Sequence, residues 1–127
     1  MIRILLVEDN ELNRDMLSRR LARRGCAVCT AEDGAAALQL ALDDRPDIVL
    51  MDIGLPDIDG WEVTRRMRAE PALAGLPILA LTAHAMESDR ERALAAGCDD
   101  FDTKPIEFER LLCKIETLVA AGGARMA

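Results

Sequence analysis

Five polar residues of this chain stand at the ends of segments with strand-like sequence. They are Glu8 and Asp9 after residues 4–7, Asp52 after residues 48–51, Thr82 after residues 76–81, and Lys104 after residues 100–103. Three carboxylates in one pocket would repel one another, and a hard cation that takes oxygen ligands relieves the repulsion. Magnesium fits better than zinc because the set contains no His or Cys. A hydroxyl and an ammonium add what a transferred phosphoryl group requires, so one carboxylate can be a nucleophile that forms an acyl phosphate.

Each of these residues also has a purely structural interpretation. Thr82 can simply end a strand, Lys104 can be a surface lysine, and Glu8 and Asp9 can stabilise the first helix through its dipole. Taken alone, each is more often structural. Their convergence at one edge of a sheet is what favours the functional interpretation.

The element that positions Asp52 is the apolar run Ile48–Met51. Four consecutive apolar residues fit a strand only where both of its faces are covered, as in the centre of a parallel sheet under helices. Open α/β sheets bind their ligands at the carboxyl edge, where Asp52 would lie. Asp52 is therefore a candidate reactive group.

The rest of the chain alternates strand and helix patterns. Strands are predicted at residues 2–7, 28–31, 48–52, 76–82 and 100–103, and helices at 11–24, 34–42, 60–69, after a capping box at 88–91, and from 108 to about 119. Asn10 and Asp59 are predicted helix caps, and Gly25 and Gly97 predicted helix ends. The pattern predicts one α/β domain over residues 1–121, with helices on both faces of a doubly wound parallel sheet, and a disordered tail at 122–127.

Composition excludes several classes of protein. With 23 acidic and 16 basic residues the net charge is -7, which argues against direct binding of nucleic acid. The first residues contain no export signal, and no segment has the length needed for insertion in a membrane, so we expect a cytoplasmic protein. Its four cysteines should then be thiols, and Cys26 and Cys29 are predicted to point to opposite faces of a strand region and to belong to the core.

Four motifs together resemble the receiver domain of bacterial two-component response regulators. They are Val7-Glu8-Asp9-Asn10, Met51-Asp52-Ile53-x-Leu55-Pro56, Leu81-Thr82-Ala83 and Lys104-Pro105. The resemblance covers residues 2 to about 119, and it is nearest to single-domain regulators of the DivK type. Receivers excised from hybrid histidine kinases share the same motifs and remain an alternative. The family implies a flavodoxin-like (βα)5 fold with strand order 2-1-3-4-5.

The resemblance also implies a role for each site residue. Asp52 would accept a phosphoryl group from a phosphohistidine on a histidine kinase or histidine phosphotransfer protein. Glu8, Asp9, Asp52 and the backbone carbonyl of Gly54 would bind Mg²⁺. Thr82 and Lys104 would each contact a phosphoryl oxygen, and Phe101 would be the aromatic switch that moves inward with Thr82. The bond between Lys104 and Pro105 is expected to be cis.

Two positions that tune the phosphoryl lifetime in the family are occupied by Gly54 and His84. We hypothesise that this pair sets the dephosphorylation rate, which an exchange at either position should change. His84 can be a general base or an exposed loop residue. Trp61 is expected to be a partly buried anchor, with partner binding as the alternative.

The output is expected to be contact with a downstream protein, from a monomer or a phosphorylation-dependent dimer, without enzymatic turnover of a substrate. Leu12, Met16 and Leu17 form the expected docking surface for a kinase, unless they belong to the core.

Two other functions compete with that of a phosphorylated signalling module. A phosphatase of the haloacid dehalogenase type would need an acid at Gly54, and a pseudo-receiver would lack the acceptor, a metal acid or the lysine.

Overall fold

The computed structural model describes the backbone of residues 1–82 and 87–126 and the side chains of residues 1–82 and 91–121. In that part of the chain, strands and helices alternate. The strands are β1 (Arg3–Val7), β2 (Ala27–Ala31), β3 (Ile48–Asp52), β4 (Ile78–Thr82) and β5 (Asp100–Thr103). The helices are α1 (Glu11–Arg23), α2 (Gly34–Asp44), α3 (Gly60–Ala69), α4 (Glu87–Ala96) and α5 (Phe108–Met126), with a 3₁₀ turn at Pro71–Leu73. No helix within residues 1–82 or 87–126 is long and apolar enough to cross a bilayer.

The strands form one sheet in the order β2-β1-β3-β4-β5, and every neighbouring pair is parallel. All five residues of β3 and all five of β4 are buried. The polar strand β5 lies at one edge, as its composition suggests. The predicted fold class and strand order are therefore confirmed.

The sheet separates two apolar clusters. Alternate residues of β3 point to opposite sides, with Val49 and Met51 in the cluster covered by α2, α3 and α4, and Ile48 and Leu50 in the cluster covered by α1 and α5. We call these the α3 core and the α5 core. Burial on both faces explains why the central strands read as continuous apolar runs.

The two cysteines of the C-x-x-C pattern lie in different clusters. Cys29 packs against the α3 core and Cys26 belongs to the α5 core. This arrangement agrees with the prediction that the pair belongs to the core and faces opposite ways.

Most predicted helix boundaries hold. The side chains of Asn10 and Asp59 accept hydrogen bonds from backbone amides of α1 and α3, as N-caps do. Gly25 and Gly97 have positive φ just beyond the ends of α1 and α4.

Other boundaries differ. Among the described residues α4 already begins at Glu87, so Ser88 lies within the helix and the capping box predicted there is wrong. Strand β4 begins at Ile78, after Pro77, because proline has no amide to donate to the sheet. Helix α5 extends to Met126, beyond residue 119, where the predicted apolar stripe of this helix ends.

Candidate functional site

Three carboxylates lie together at the carboxyl edge of the sheet. Glu8 and Asp9 directly follow β1, and Asp52 is the last residue of β3. One oxygen from each of the three lies within 4.8 Å of the others. Glu8 is 4% exposed and Asp52 is 5% exposed, whereas Asp9 faces solvent. The structure thus brings together the three acids that the sequence singled out, two of them buried.

Lys104 neutralises part of this charge. Its Nζ lies 3.2 Å from an Asp52 oxygen and 3.4 Å from a Glu8 oxygen. The lysine follows β5 directly, and the peptide bond between Lys104 and Pro105 is cis, as the family resemblance implies. The single ammonium therefore bridges carboxylates contributed by β1 and β3.

The pKa values of this cluster show that its charges interact. Burial raises the pKa of Glu8, and the nearby charge of Asp52 raises it further. Burial acts to lower the pKa of Lys104, but the carboxylates of Asp52 and Glu8 outweigh it and the pKa is raised. The lysine thus stays protonated, while the carboxylates remain crowded even with one cation beside them.

Thr82 lies between Asp52 and Lys104 in the sheet. It is the last residue of β4, it is buried, and its carbonyl accepts a hydrogen bond of 2.8 Å from the amide of Lys104. The amide of Ile53, next to Asp52, donates to the carbonyl of Leu81 at 3.2 Å. Backbone hydrogen bonds therefore fix the end of β4 to both neighbouring parts of the site.

Phe101 lies outside the acidic pocket. It is half-buried on β5 and packs against the α3 core. Lys114 of α5 donates to the Phe101 carbonyl at 2.7 Å, and its Nζ lies 5.7 Å from the ring centroid. The next residue, Asp102, is buried and forms an ion pair with Arg110 of α5.

The loop after Asp52 approaches the phosphoacceptor candidate through its backbone. The amide of Gly54 donates to an Asp52 oxygen at 3.1 Å. A Cβ at residue 54 would lie 3.9 Å from that oxygen, so the position beside the carboxylate is open. Gly60, at the start of α3, has no such space, because a Cβ there would lie 2.7 Å from the Asp52 carbonyl oxygen. The glycine lets α3 start directly against the end of β3.

Two residues that the sequence did not point to support these loops. Arg14 donates to the Glu8 carbonyl at 2.9 Å and fixes the backbone after β1. Asp57 accepts hydrogen bonds from the amides of Gly34 and Ala35, at 2.8 and 3.1 Å, and ties the loop after β3 to α2. No local sequence motif predicts either contact, because each joins segments that are adjacent only in the folded chain.

A groove of about 390 Å³ opens beside the acids. Glu8 and Lys104 lie at one end, and Met16, Leu17 and Ile106 line its apolar part. Met16 is 52% exposed and Leu12 is 68% exposed, whereas Leu17 packs partly against the α5 core. The start of α1 therefore presents apolar side chains to solvent next to the site.

Two further predictions concern Trp61 and His84. Trp61 is 5% exposed, so it is buried more completely than the predicted partly buried anchor because α3 turns it into the α3 core, where Arg92 lies 5.6 Å from its ring. This burial favours the anchor over a partner-binding role. His84 lies outside the described residues.

The donor set fits Mg²⁺. All three convergent side chains offer carboxylate oxygens, which are the ligands that this ion prefers. Three carboxylates carry more negative charge than the single ammonium of Lys104 offsets, so a bound cation would relieve the repulsion.

Comparisons with known proteins agree with this geometry. Residues 4–116 match the family model of the response regulator receiver domain. The polar-differentiation response regulator DivK of Brucella anthropi is 38% identical over 114 residues, which cover 90% of this chain and 93% of DivK.

Solved structures show the same fold. A response regulator from Chloroflexus aurantiacus superposes with a TM-score of 0.89 at 34% identity, covering 94% of this chain and 98% of the other. The receiver domain of the sensor histidine kinase PA1611 from Pseudomonas aeruginosa, which holds a magnesium ion in its active-site cleft, gives a TM-score of 0.87 at 38% identity with the same coverage. The fold, the acidic edge and these matches together show that the chain belongs to the response regulator receiver domain family of two-component signalling.

Proposed function

We propose that Asp52 accepts a phosphoryl group from a phosphohistidine on a histidine kinase or a histidine phosphotransfer protein. The observation that carries the proposal is the convergence of oxygens from Glu8, Asp9 and Asp52 within 4.8 Å, with the Lys104 ammonium 3.2 Å from Asp52. Asp52 is the only one of the three acids that lies within a strand, and all five residues of that strand are buried, so the surrounding core fixes its position. Rigid placement of a nucleophile favours in-line attack.

In the transfer step, an oxygen of Asp52 forms a bond to phosphorus while the bond between phosphorus and the imidazole nitrogen of the donor breaks. Lys104 neutralises charge on the phosphoryl oxygens, and the amide of Gly54, now 3.1 Å from Asp52, is placed to donate to the same group. Glu8, Asp9, Asp52 and the Gly54 carbonyl would hold Mg²⁺, which supplies positive charge to the phosphoryl oxygens when bound. The chain keeps the phosphoryl group as its own acyl phosphate and turns over no separate substrate.

Phosphorylation of Asp52 would change the contacts of Thr82 and the packing of Phe101. The Thr82 hydroxyl would contact a phosphoryl oxygen, and Phe101 on the neighbouring strand would change its packing against the α3 core. The changed surface would then bind a downstream protein or a second copy of the chain. We infer that the reaction takes place in the cytoplasm, where a histidine kinase or phosphotransfer protein would present its phosphohistidine.

A phosphatase of the haloacid dehalogenase type is disfavoured by Gly54. Its mechanism needs an acid two residues after the nucleophile, and this residue has no side chain. Origin in a hybrid kinase remains an alternative, since the kinase-borne receiver of PA1611 is as similar to this chain as DivK is.

The proposal is tested by labelling with acetyl phosphate or a phosphorylated histidine phosphotransfer protein, with and without Mg²⁺. We expect one base-labile, hydroxylamine-sensitive phosphoryl group per chain, which depends on Mg²⁺ and is absent from Asp52→Asn. Asp47→Asn is the matched control, because Asp47 accepts a hydrogen bond from the amide of Arg3 at the amino end of β1, the opposite end of the strands from the site, and should not matter for labelling. Label that persists in Asp52→Asn, or that forms equally without Mg²⁺, would overturn the assignment.

A further inference from the structure

The loop that carries Gly54 is held at its base by contacts with the phosphoacceptor strand. Residues 53–59 connect β3 to α3. The amide of Gly54 donates to Asp52 at 3.1 Å, and the amide of Gly60 donates to the carbonyl of Ile53 at 3.0 Å. These two bonds fix where the loop leaves β3 and enters α3, and other contacts hold its outer half.

The outer half packs against the α3 core through Leu55 and Ile58, and the carboxylate of Asp57 ties it to α2. Asp57 accepts from the amide of Gly34 at 2.8 Å with one oxygen and from the amide of Ala35 at 3.1 Å with the other. Asp57 is exposed, so burial does not hold it there. The hydrogen bond from the Gly34 amide lowers the pKa of Asp57, because it stabilises the charged carboxylate.

The first residue of α2 allows this contact. A Cβ at Gly34 would lie 2.6 Å from Val63 Cγ2 and 3.2 Å from Ile58 Cβ. Only a glycine lets α2 approach the loop and α3 this closely. The helix end therefore lies directly against the segment that follows Asp52.

Helix α2 has its own cap. The side chain of Asp33 accepts from the amide of Ala36 at 2.8 Å, as an N-cap does. Asp57 takes the two preceding amides and reaches them from a loop 22 and 23 residues away. One helix end is thus served by two carboxylates, of which only Asp57 belongs to the phosphoacceptor loop.

We propose that Asp57 is a positioning residue for the site, which fixes the loop after Asp52 against α2 and thereby sets the position of the Gly54 carbonyl. This inference rests on the proposed function, in which that carbonyl is a ligand of Mg²⁺. A backbone ligand can be placed only by placing its loop, because it has no side-chain rotamer to adjust. Loss of the anchor should therefore weaken Mg²⁺ binding although all three metal-binding acids are intact.

The chain offers a closely matched pair of variants. Asp57→Ala and Asp33→Ala each remove one carboxylate from the same helix end, so the change in net charge and the loss of α2 capping are alike. Only Asp57→Ala releases the loop. We expect Asp57→Ala to weaken Mg²⁺ binding in titration calorimetry about fivefold, less than the roughly 10–100-fold typical of residues that contact a metal ligand directly. Asp33→Ala should change it less than twofold, and Asp57→Asn, which keeps an acceptor oxygen, should recover part of the loss.

Amide hydrogen exchange provides a second measurement. Protection of the Gly34 and Ala35 amides should fall in Asp57→Ala, and that of the Ala36 amide in Asp33→Ala. Equal Mg²⁺ affinity in the two alanine variants would overturn the positioning role, whether or not protection is lost. Absence of Mg²⁺ binding by the unmodified chain would instead overturn the proposed function, so the two failures are distinguishable.

Discussion

At the scale of single residues, the crowded carboxylates that could bind a metal ion also lower the stability of the fold. Glu8 is buried beside Asp52, and burial followed by the charge of Asp52 raises its pKa. The folded state therefore binds the Glu8 proton more tightly than the unfolded state does. This residue's contribution to stability is full below its ordinary pKa and is lost as the pH rises through the higher folded value. At neutral pH without metal, the charged Glu8 destabilises the fold.

We predict that Glu8→Gln raises the midpoint of thermal unfolding by a few degrees at pH 7 in metal-free buffer. Glutamine removes the charge and keeps an oxygen that can accept from the Asn10 amide, as Glu8 does at 3.2 Å. The variant should also show a smaller loss of stability between pH 4 and pH 7. Differential scanning calorimetry across that range measures both effects.

Exposed Glu116 on α5 supplies the control, since Glu116→Gln removes the same charge far from the acids and should change little. Added Mg²⁺ should stabilise the unmodified chain and stabilise Glu8→Gln less. A Glu8→Gln midpoint below that of the unmodified chain would mean that the ion pair with Lys104 outweighs the crowding of the carboxylates.

The site residues differ in how far the sequence could predict them. Glu8, Asp52 and Lys104 were predictable because each ends or directly follows a strand, and the carboxyl ends of parallel strands meet at one edge. Asp57 and Arg14 were not, because their partners are backbone groups of other loops, and no residue type marks such a partner.

At the scale of elements, the apolar run of β3 and the cap residues of α1 and α3 predict where these elements lie, whereas the capping motif near α4 does not. The bounds of β3 are as predicted because both its faces are covered and its apolar run is continuous. The start of α4 differs because capping signals are short polar motifs, and Ser88-Asp89-Arg90-Glu91 also suits the first turn of a helix. The 3₁₀ turn at Pro71–Leu73 has no periodic pattern that could predict it.

Arg68 connects several segments at the end of the sheet opposite the site. Arg68 of α3 donates to the carbonyls of Leu76 and Gly97, at 2.6 and 2.8 Å, and pairs with Asp99 at 2.7 Å. Asp99 also accepts from the amide of Ile78, the first residue of β4. Arg68 therefore holds together α3, the start of β4, the end of α4 and the segment before β5.

We predict that Arg68→Met lowers the free energy of unfolding by about 2–4 kcal/mol. The substitution removes one partner of a largely buried ion pair and the hydrogen-bond donor to several backbone carbonyls. Denaturant unfolding measures the change. Arg65→Met is the matched control on the same helix, since Arg65 pairs only at the surface with Glu62 and should cost less than about 0.5 kcal/mol. Equal losses in the two variants would show that the Arg68 cluster adds nothing beyond a surface pair.

At the scale of the whole molecule, the two faces of the sheet carry different parts of the proposed signal. The groove with Met16 and Leu17 lies on the side of the α5 core, next to the acids. Phe101 packs on the other side, against the α3 core. The carboxyl edge with Asp52 joins the two sides, so recognition of the phosphodonor and the response to phosphorylation can use separate surfaces.

This separation predicts a difference between phosphodonors. Met16→Gln removes an exposed apolar side chain from the groove but leaves the acids and Lys104 in place. It should slow transfer from a phosphorylated histidine phosphotransfer protein about tenfold, the effect of losing one good apolar contact in an interface. Labelling by acetyl phosphate, which needs no docking surface, should keep its rate.

Leu94→Gln is the matched control, because Leu94 is 53% exposed, close to the 52% of Met16, and lies on α4 across the sheet from the groove. It should leave both rates unchanged. If Met16→Gln slows acetyl phosphate labelling equally, the substitution disturbs the site itself. If Leu94→Gln slows transfer from the protein donor as much as Met16→Gln does, the donor docks on the side of α4, and the assignment of recognition to the groove beside α1 is wrong.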